Sequence, residues 1–230
     1  MTNTMARRTT REPQNQVVLD VAEMVGIQRL GLMTNQGWHD DPRRLGFTLS
    51  RYKFVSKMLS GKSHVLEVGC ADAFGSRIVL QEVKVLMAID YDPVFVDDVR
   101  NNMSQRWRFE VREHDILKGP VAGDFDGVYS LDVIEHIPAS QEDTYLRNII
   151  DSLTDDGVLI IGTPSLESQR YASPPSREGH INCKSGDQLK ELLARYFYNV
   201  FLFSMNDEVV HTGFYPMAHY LFAVCCMKRG

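Results

Sequence analysis

The chain has 230 residues, 43% of them hydrophobic and 24% charged, with a formal net charge of −5 and a pI near 5.8. This length supports one sizeable domain with a real core, and the composition is that of a globular chain rather than a disordered or fibrous one. The acidic balance excludes a general polyanion-binding surface but leaves room for a local basic groove.

No apolar run approaches the roughly 20 residues of a membrane span. Cys70, Cys183, Cys225 and Cys226 lack a metal-ligand spacing such as Cys-x-x-Cys and read as reduced thiols of a cytoplasmic protein. Residues 1 to 15 are polar and are expected to be disordered. Arg7, Arg8 and Arg11 precede no apolar core, so no signal peptide is expected. Between Val17 and Leu32, Val17, Val18, Val21, Met24, Val25 and Ile27 recur at helical spacing and predict an amphipathic helix. Gly31 to Gly46 reads as irregular. Trp38 and His39 within it fit either a surface loop with one anchoring Trp or a lid over a site. A further helix carries Leu49, Tyr52, Phe54, Val55, Met58 and Leu59 and stops at Gly61.

An alternation then begins. Strands are predicted at Val65–Val68, Val85–Ile89, Arg108–Arg112, Gly127–Leu131 and Val158–Ile161. Helices are predicted at Ser76–Gln81, after Pro93 and at Gln141–Leu153. This pattern specifies an α/β, doubly wound, mostly parallel sheet with helices on both faces. Thr163–Ser185 is a loop long enough to be functional, and a helix follows at Gly186–Tyr196. Two apolar runs, Val200–Ser204 and Ala218–Met227, have no helix between them and predict a C-terminal antiparallel hairpin. The organisation expected is a tail, helix and lid over residues 1–45 and one domain over 46–230.

Open parallel sheets bind ligands at the carboxyl ends of their strands. Here those ends are Glu67–Gly75, Asp90, Asp115, Ser130–His136 and Thr163–Ser165. The first strand breaks at Gly69 into small residues before a helix, a layout that brings backbone amides to a nucleotide. Asp90, about twenty residues on, can accept hydrogen bonds from both hydroxyls of a ribose. As a loop carboxylate or N-cap it would hold no ligand.

Together, Val65-Leu-Glu-Val-Gly-Cys-Ala-Asp-Ala-Phe-Gly75, Ala88-Ile-Asp90, Asp115-Ile116, Leu131-Asp-Val-Ile-Glu-His-Ile-Pro138 and Gly157-Val-Leu-Ile-Ile-Gly-Thr-Pro164 resemble class I S-adenosylmethionine-dependent methyltransferases. The resemblance implies a seven-stranded sheet ending in an antiparallel hairpin. It implies that Glu67, Gly69, Cys70 and Ala71 hold the amino acid end of S-adenosylmethionine and that Asp90 holds its ribose. Tyr91 would border the adenine, Asp115 and Ile116 would contact its ring and amino group, and Ser130 and Leu131 would flank the methionine portion. Where that family has glycines this chain has Ala71 and Ala73, which the turn tolerates if φ stays negative there.

Methyl transfer from a sulfonium is mostly alignment, but a hydroxyl acceptor also needs a base. His136, just after the fourth strand, and His180, in the long loop, are the catalytic candidates. His180 is preferred because Gly179-His-Ile-Asn182 resembles a family segment preceding the helix that closes the acceptor pocket. Trp38, His39, Tyr171, Arg177 and His211 are weaker candidates for acceptor binding. The expected reaction is methyl transfer to a hydroxyl, or less readily an amine, of a small metabolite or glycan. The acidity disfavours nucleic acid, no membrane is involved, and a homodimer is compatible with the chain.

Two alternatives stand beside it. Asp132-x-x-Glu135-His136 is similar to metal-dependent RNA 2′-O-methyltransferases, which would place a divalent ion on Glu135, His136 and His180. The same Glu-His pair occurs in metal-free relatives, so no metal is assigned. The other is a non-catalytic cofactor-binding subunit acting through its N-terminal helix. An oxidoreductase is disfavoured by the lack of Gly-x-Gly-x-x-Gly and by the terminal hairpin.

Overall fold

The computed structural model describes residues 8–229, and the chain divides after Leu30 into two units. In the first, a 3-10 turn at Pro13–Asn15 leads into α1 (Gln16–Val25), which ends at Gly26 and so is shorter than the helix expected to reach Leu32. The turn also replaces part of the expected disorder, while residues 1–7 lie outside the described residues. None of α1's residues is buried.

The second unit starts with α2 (Leu32–Asp40) and α3 (Arg43–Met58). The expected irregular stretch is therefore helical. Gly31 offers α2 no side-chain cap, but two distant carboxylates do: Asp98 Oδ2 accepts from Leu32 N at 2.9 Å and Asp72 Oδ2 from Thr34 N at 2.6 Å. Such caps satisfy the orphan amides of a first turn and are invisible in the local sequence.

The alternation follows as β1 (His64–Val68), α4 (Ser76–Leu80), β2 (Val85–Asp90), α5 (Pro93–Asn102), β3 (Glu110–Glu113), β4 (Phe125–Leu131), α6 (Glu142–Ser152) and β5 (Leu153–Pro164). A 3-10 turn at Glu167–Tyr171, α7 (Pro174–Gly179) and α8 (Gly186–Ala194) come next, then β6 (Phe197–Asn206), β7 (Val209–His211) and β8 (Tyr220–Lys228). Thus the long loop is not structureless. The sheet order is β3-β2-β1-β4-β5-β8-β6-β7, parallel through β5, with β8 antiparallel between β5 and β6. It has eight strands rather than seven, because β6 extends to Asn206 and turns back to pair Ser204 with His211 and Asn206 with Val209.

Both faces of the sheet are covered. Leu66, Val68, Val128, Leu159 and Ile161 pack with residues of α6 and α8, whereas Val65, Tyr129, Ile160 and Phe222 pack with residues of α3 and α4. Two-sided burial explains why the central strands read as near-continuous apolar runs. The two-residue period of β1 sends Glu67 to the same face as Val65, toward α3 and α4. Among the described residues no helix is long and apolar enough to cross a membrane.

Candidate functional site

The strand order reverses at β1, whose neighbours β2 and β4 lead to opposite edges. Such a switch point leaves a crevice at the strands' carboxyl ends. A cavity of about 320 Å³ opens there, walled by the turn after β1, the tip of β4, α2 and α3.

The turn is shaped by its backbone. Gly69 has φ +77°, and a Cβ there would come within 2.3 Å of Val133 Cγ2. Gly69 N and Cys70 N both donate to Ile89 O, at 2.9 and 3.0 Å. The expectation for the alanines is corrected: Ala71 has φ +45° and Ala73 φ +49°. That region costs an L-residue roughly 1–2 kcal/mol, so the turn must be held by its bonds. Asp90 supplies one, its Oδ2 accepting from Ala71 N at 2.8 Å while Oδ1 accepts from Asp92 N at 3.0 Å.

Glu67 lies buried behind the turn. It accepts hydrogen bonds from Tyr52 Oη and Tyr129 Oη, each at 2.8 Å, and from Ser76 Oγ. Burial pushes its carboxyl up to about 7, against the pull of the three hydroxyls.

The other cofactor candidates separate by position. Leu131, with Gly69, Cys70 and Ala71, lines the cavity. Tyr91 is exposed at the tip of β2, and Asp115 caps the turn after β3 through Leu117 N at 3.0 Å. Ile116 and Ser130 are taken up by the core. Ile116 packs in the main apolar cluster, and Ser130 Oγ donates to Val68 O and accepts from Tyr145 Oη, both at 2.8 Å.

Of the acceptor-pocket candidates, Trp38 lines the cavity and His39, in the last turn of the same helix, does not. Tyr171 is exposed with the Arg170 guanidinium 4.6 Å from its ring, and Arg177 donates to Arg170 O at 3.1 Å. His211 is engaged by its own hairpin, through Asn206 Oδ1 and Gly213 N, both at 2.9 Å. None of these three lines the cavity.

At the tip of β4, His136 lines the cavity and stacks edge-on against His180, with ring centroids 5.1 Å apart. His136 Nδ1 lies 2.8 Å from Gly179 O, and His180 Nδ1 lies 2.8 Å from Gln169 Oε1. Both partners are carbonyl oxygens, so each Nδ1 donates and each Nε2 keeps its lone pair. Burial, then the neighbouring His136, hold His180 below the ordinary imidazole value. Glu135 is buried with Oε2 accepting from Thr163 Oγ1 at 3.0 Å and Oε1 without a partner among the described residues. Burial, then the charge of Asp132, push its carboxyl upward. One ligand atom from each of Glu135, His136 and His180 falls within 4.8 Å of the others. Two imidazoles with anchored Nδ1 atoms and one carboxylate suit a divalent cation.

Sequence reasoning missed four contributors. In the sequence Tyr52 reads only as an apolar helix position. Asp72, which holds α2, and Arg51, which pairs with Asp132 Oδ1 and Oδ2 at 2.9 and 2.8 Å, depend on contacts across the fold. Asp132 sat inside a noted motif, but nothing local announced its cavity position.

A family model described as a methyltransferase domain matches residues 38–201. A probable S-adenosylmethionine-dependent methyltransferase of Mycobacterium tuberculosis is 29% identical over 119 residues, covering 51% of this chain. The match spans only 40% of that relative's length. In fold, the chain is similar to the N-methyltransferase NodS of Bradyrhizobium japonicum in complex with S-adenosylhomocysteine, with a TM-score of 0.60 and 22% identity, over 80% of this chain and 86% of that one. It is also similar to the small RNA methyltransferase HEN1, with a TM-score of 0.64 and 16% identity, over 80% of this chain and 26% of that one.

Proposed function

The chain belongs to the class I S-adenosylmethionine-dependent methyltransferases, and we propose that it methylates a hydroxyl of a small metabolite or sugar residue. The observation that carries this reading is the His136–His180 pair at the cavity, with both Nδ1 atoms anchored and both Nε2 lone pairs left free. A sulfonium methyl needs little activation, whereas a neutral hydroxyl must lose its proton as it attacks. His136, on the cavity wall, takes that proton as the acceptor oxygen bonds to the methyl carbon. The carbon–sulfur bond breaks in the same step and S-adenosylhomocysteine leaves. His180 adjoins His136, keeps it in place and offers a second basic nitrogen. The cavity is walled by α2 and α3 as well as by the turn and the tip of β4, an enclosure that suits a small acceptor better than a macromolecular surface.

The test is a mass-spectrometric survey of hydroxylated metabolites and sugars with the wild-type protein, followed by kinetics of His136→Ala and His180→Ala. Each variant should bind S-adenosylhomocysteine within about threefold of wild type and lose roughly a hundredfold or more in turnover. Undiminished turnover in both, or loss of binding in proportion to turnover, would refute the histidine role.

A second reading is favoured by one specific atom. Glu135 Oε1 is buried without a partner among the described residues, beside the two imidazoles, an arrangement a cation would complete. Glu135, His136 and His180 would hold it, and its chemistry there would be to acidify a bound hydroxyl, including the 2′-hydroxyl of an RNA end. Dialysis against a chelator decides. Loss of activity, restored by Mn²⁺ but not in Glu135→Gln, selects this reading. Full activity without metal rejects it.

A further inference from the structure

Asp132 follows the last residue of β4 with φ +57°. A non-glycine residue keeps that conformation only where its surroundings fix it. Here three contacts do so. Its N–H donates to Gly162 O at 3.0 Å, and its carboxylate receives Arg51 Nη1 at 2.9 and 2.8 Å. Arg51 in turn lies over the ring of Tyr220, 3.9 Å from the centroid. Gly162 makes room for this stack, since a Cβ there would come within 2.6 Å of both Tyr220 Oη and Leu131 Cδ2.

The arrangement is expensive for a mere tie between α3 and β4. Arg51 Nε and Tyr220 Oη are buried without partners among the described residues. A packed apolar pair would join the same elements at lower cost. The result of the expense is a carboxylate side chain 38% exposed, against 20% for Arg51, on the cavity wall beside His136 and Leu131. A carboxylate offers about four lone-pair positions, and Arg51 takes two of them.

We infer that Asp132 is the acceptor-recognition residue, and that Arg51 is its positioning residue. The remaining lone pairs receive a second O–H or N–H of the acceptor, beside the reacting group whose own proton passes to His136. The inference rests on the reading of this cavity as the transfer site and narrows the acceptor class. The acceptor is then a polyol, an amino alcohol or an amine, each of which carries a hydrogen-bond donor besides the proton given to His136. An already anionic nucleophile, such as a carboxylate or phosphonate oxygen, would meet the carboxylate edge and be disfavoured.

Two cofactor analogues test this without knowledge of the acceptor. S-adenosylhomocysteine places a neutral thioether at the transfer point. Sinefungin replaces the methyl-bearing sulfur with a carbon carrying an ammonium, a cationic donor at the same place. By calorimetry the wild-type protein should bind sinefungin roughly tenfold more tightly than S-adenosylhomocysteine. Asp132→Asn should bring that ratio near one while leaving S-adenosylhomocysteine affinity within about threefold, and Arg51→Met should do the same. A wild-type ratio near one, an unchanged ratio in Asp132→Asn, or equal loss of both ligands with a lowered Tm would each overturn the inference. Neither ligand is turned over, so the hydroxyl-acceptor reading can fail in the metabolite survey while this ratio holds, and the reverse.

Discussion

Burying Glu67 under α3 and α4 sets a charge against a low dielectric, and three hydroxyl donors only partly offset the cost. The pH dependence that follows has a definite sign. The folded carboxyl titrates at about 7 and the unfolded one near the ordinary glutamate value of 4.5, so between those values the folded state holds a proton that the unfolded state has lost. The stability this contributes is fully present below pH 4.5 and fades as pH rises through 7, by at most about 3 kcal/mol. Urea unfolding at pH 5, 6, 7 and 8 should therefore show wild-type stability falling relative to Glu67→Gln, and parallel profiles would refute the assignment. At this scale, legibility in the sequence was uneven. The position of Asp90 at the end of β2 was legible, but the expectation built on it was a ribose contact, and the bonds it makes to Ala71 N and Asp92 N were not foreseen. The left-handed Ala71 and Ala73 were not legible, since alanine carries no local sign that Asp90 and the Cys70 carbonyl will hold it at positive φ.

Among the elements, α2 shows the same limit most clearly. Its residues have weak helical patterning and its own N-cap is a glycine, so residues 31–46 read as irregular. The helix exists because Asp72, in the cofactor turn, and Asp98, in α5, cap its first amides from outside. Thr34 Oγ1 adds a second bond to Asp72 Oδ1 at 3.1 Å. Because α2 also walls the cavity through Met33 and Trp38, those caps hold a cavity wall as well as a helix. Each is worth on the order of 1 kcal/mol, enough to speed opening several-fold. In a Trp107→Phe background, Trp38 fluorescence can report S-adenosylhomocysteine release by stopped flow. Asp72→Ala and Asp98→Ala should each raise the release rate by roughly three- to tenfold. Asp98 stands away from the cavity lining, so an effect of Asp72→Ala alone would assign the change to ligand contact and refute capping.

For the whole molecule, the parallel sheet was readable because two-sided burial writes each central strand as an apolar run between breakers. The three-residue β7 was not, since Val209–His211 is too short for any period to show and exists only through pairing with β6. The family match starts at residue 38 and the second unit at Gly31, so the machinery described above belongs to that unit. The segment before it contributes little to folding by the same physical measure. In α1, Val17, Val18, Val21, Met24 and Val25 are all between 48% and 80% exposed, and no residue of the helix is buried. Stability follows apolar area removed from water, and this helix removes little. A protein beginning at Gly31 should therefore keep its Tm within about 2 °C and bind S-adenosylhomocysteine within about threefold of the full chain. If acceptor turnover falls in that protein while both of those values hold, the exposed apolar stripe of α1 serves the acceptor rather than the fold. A Tm lowered by 5 °C or more would instead show that α1 is part of the folded core, and the division after Leu30 would not mark a folding boundary.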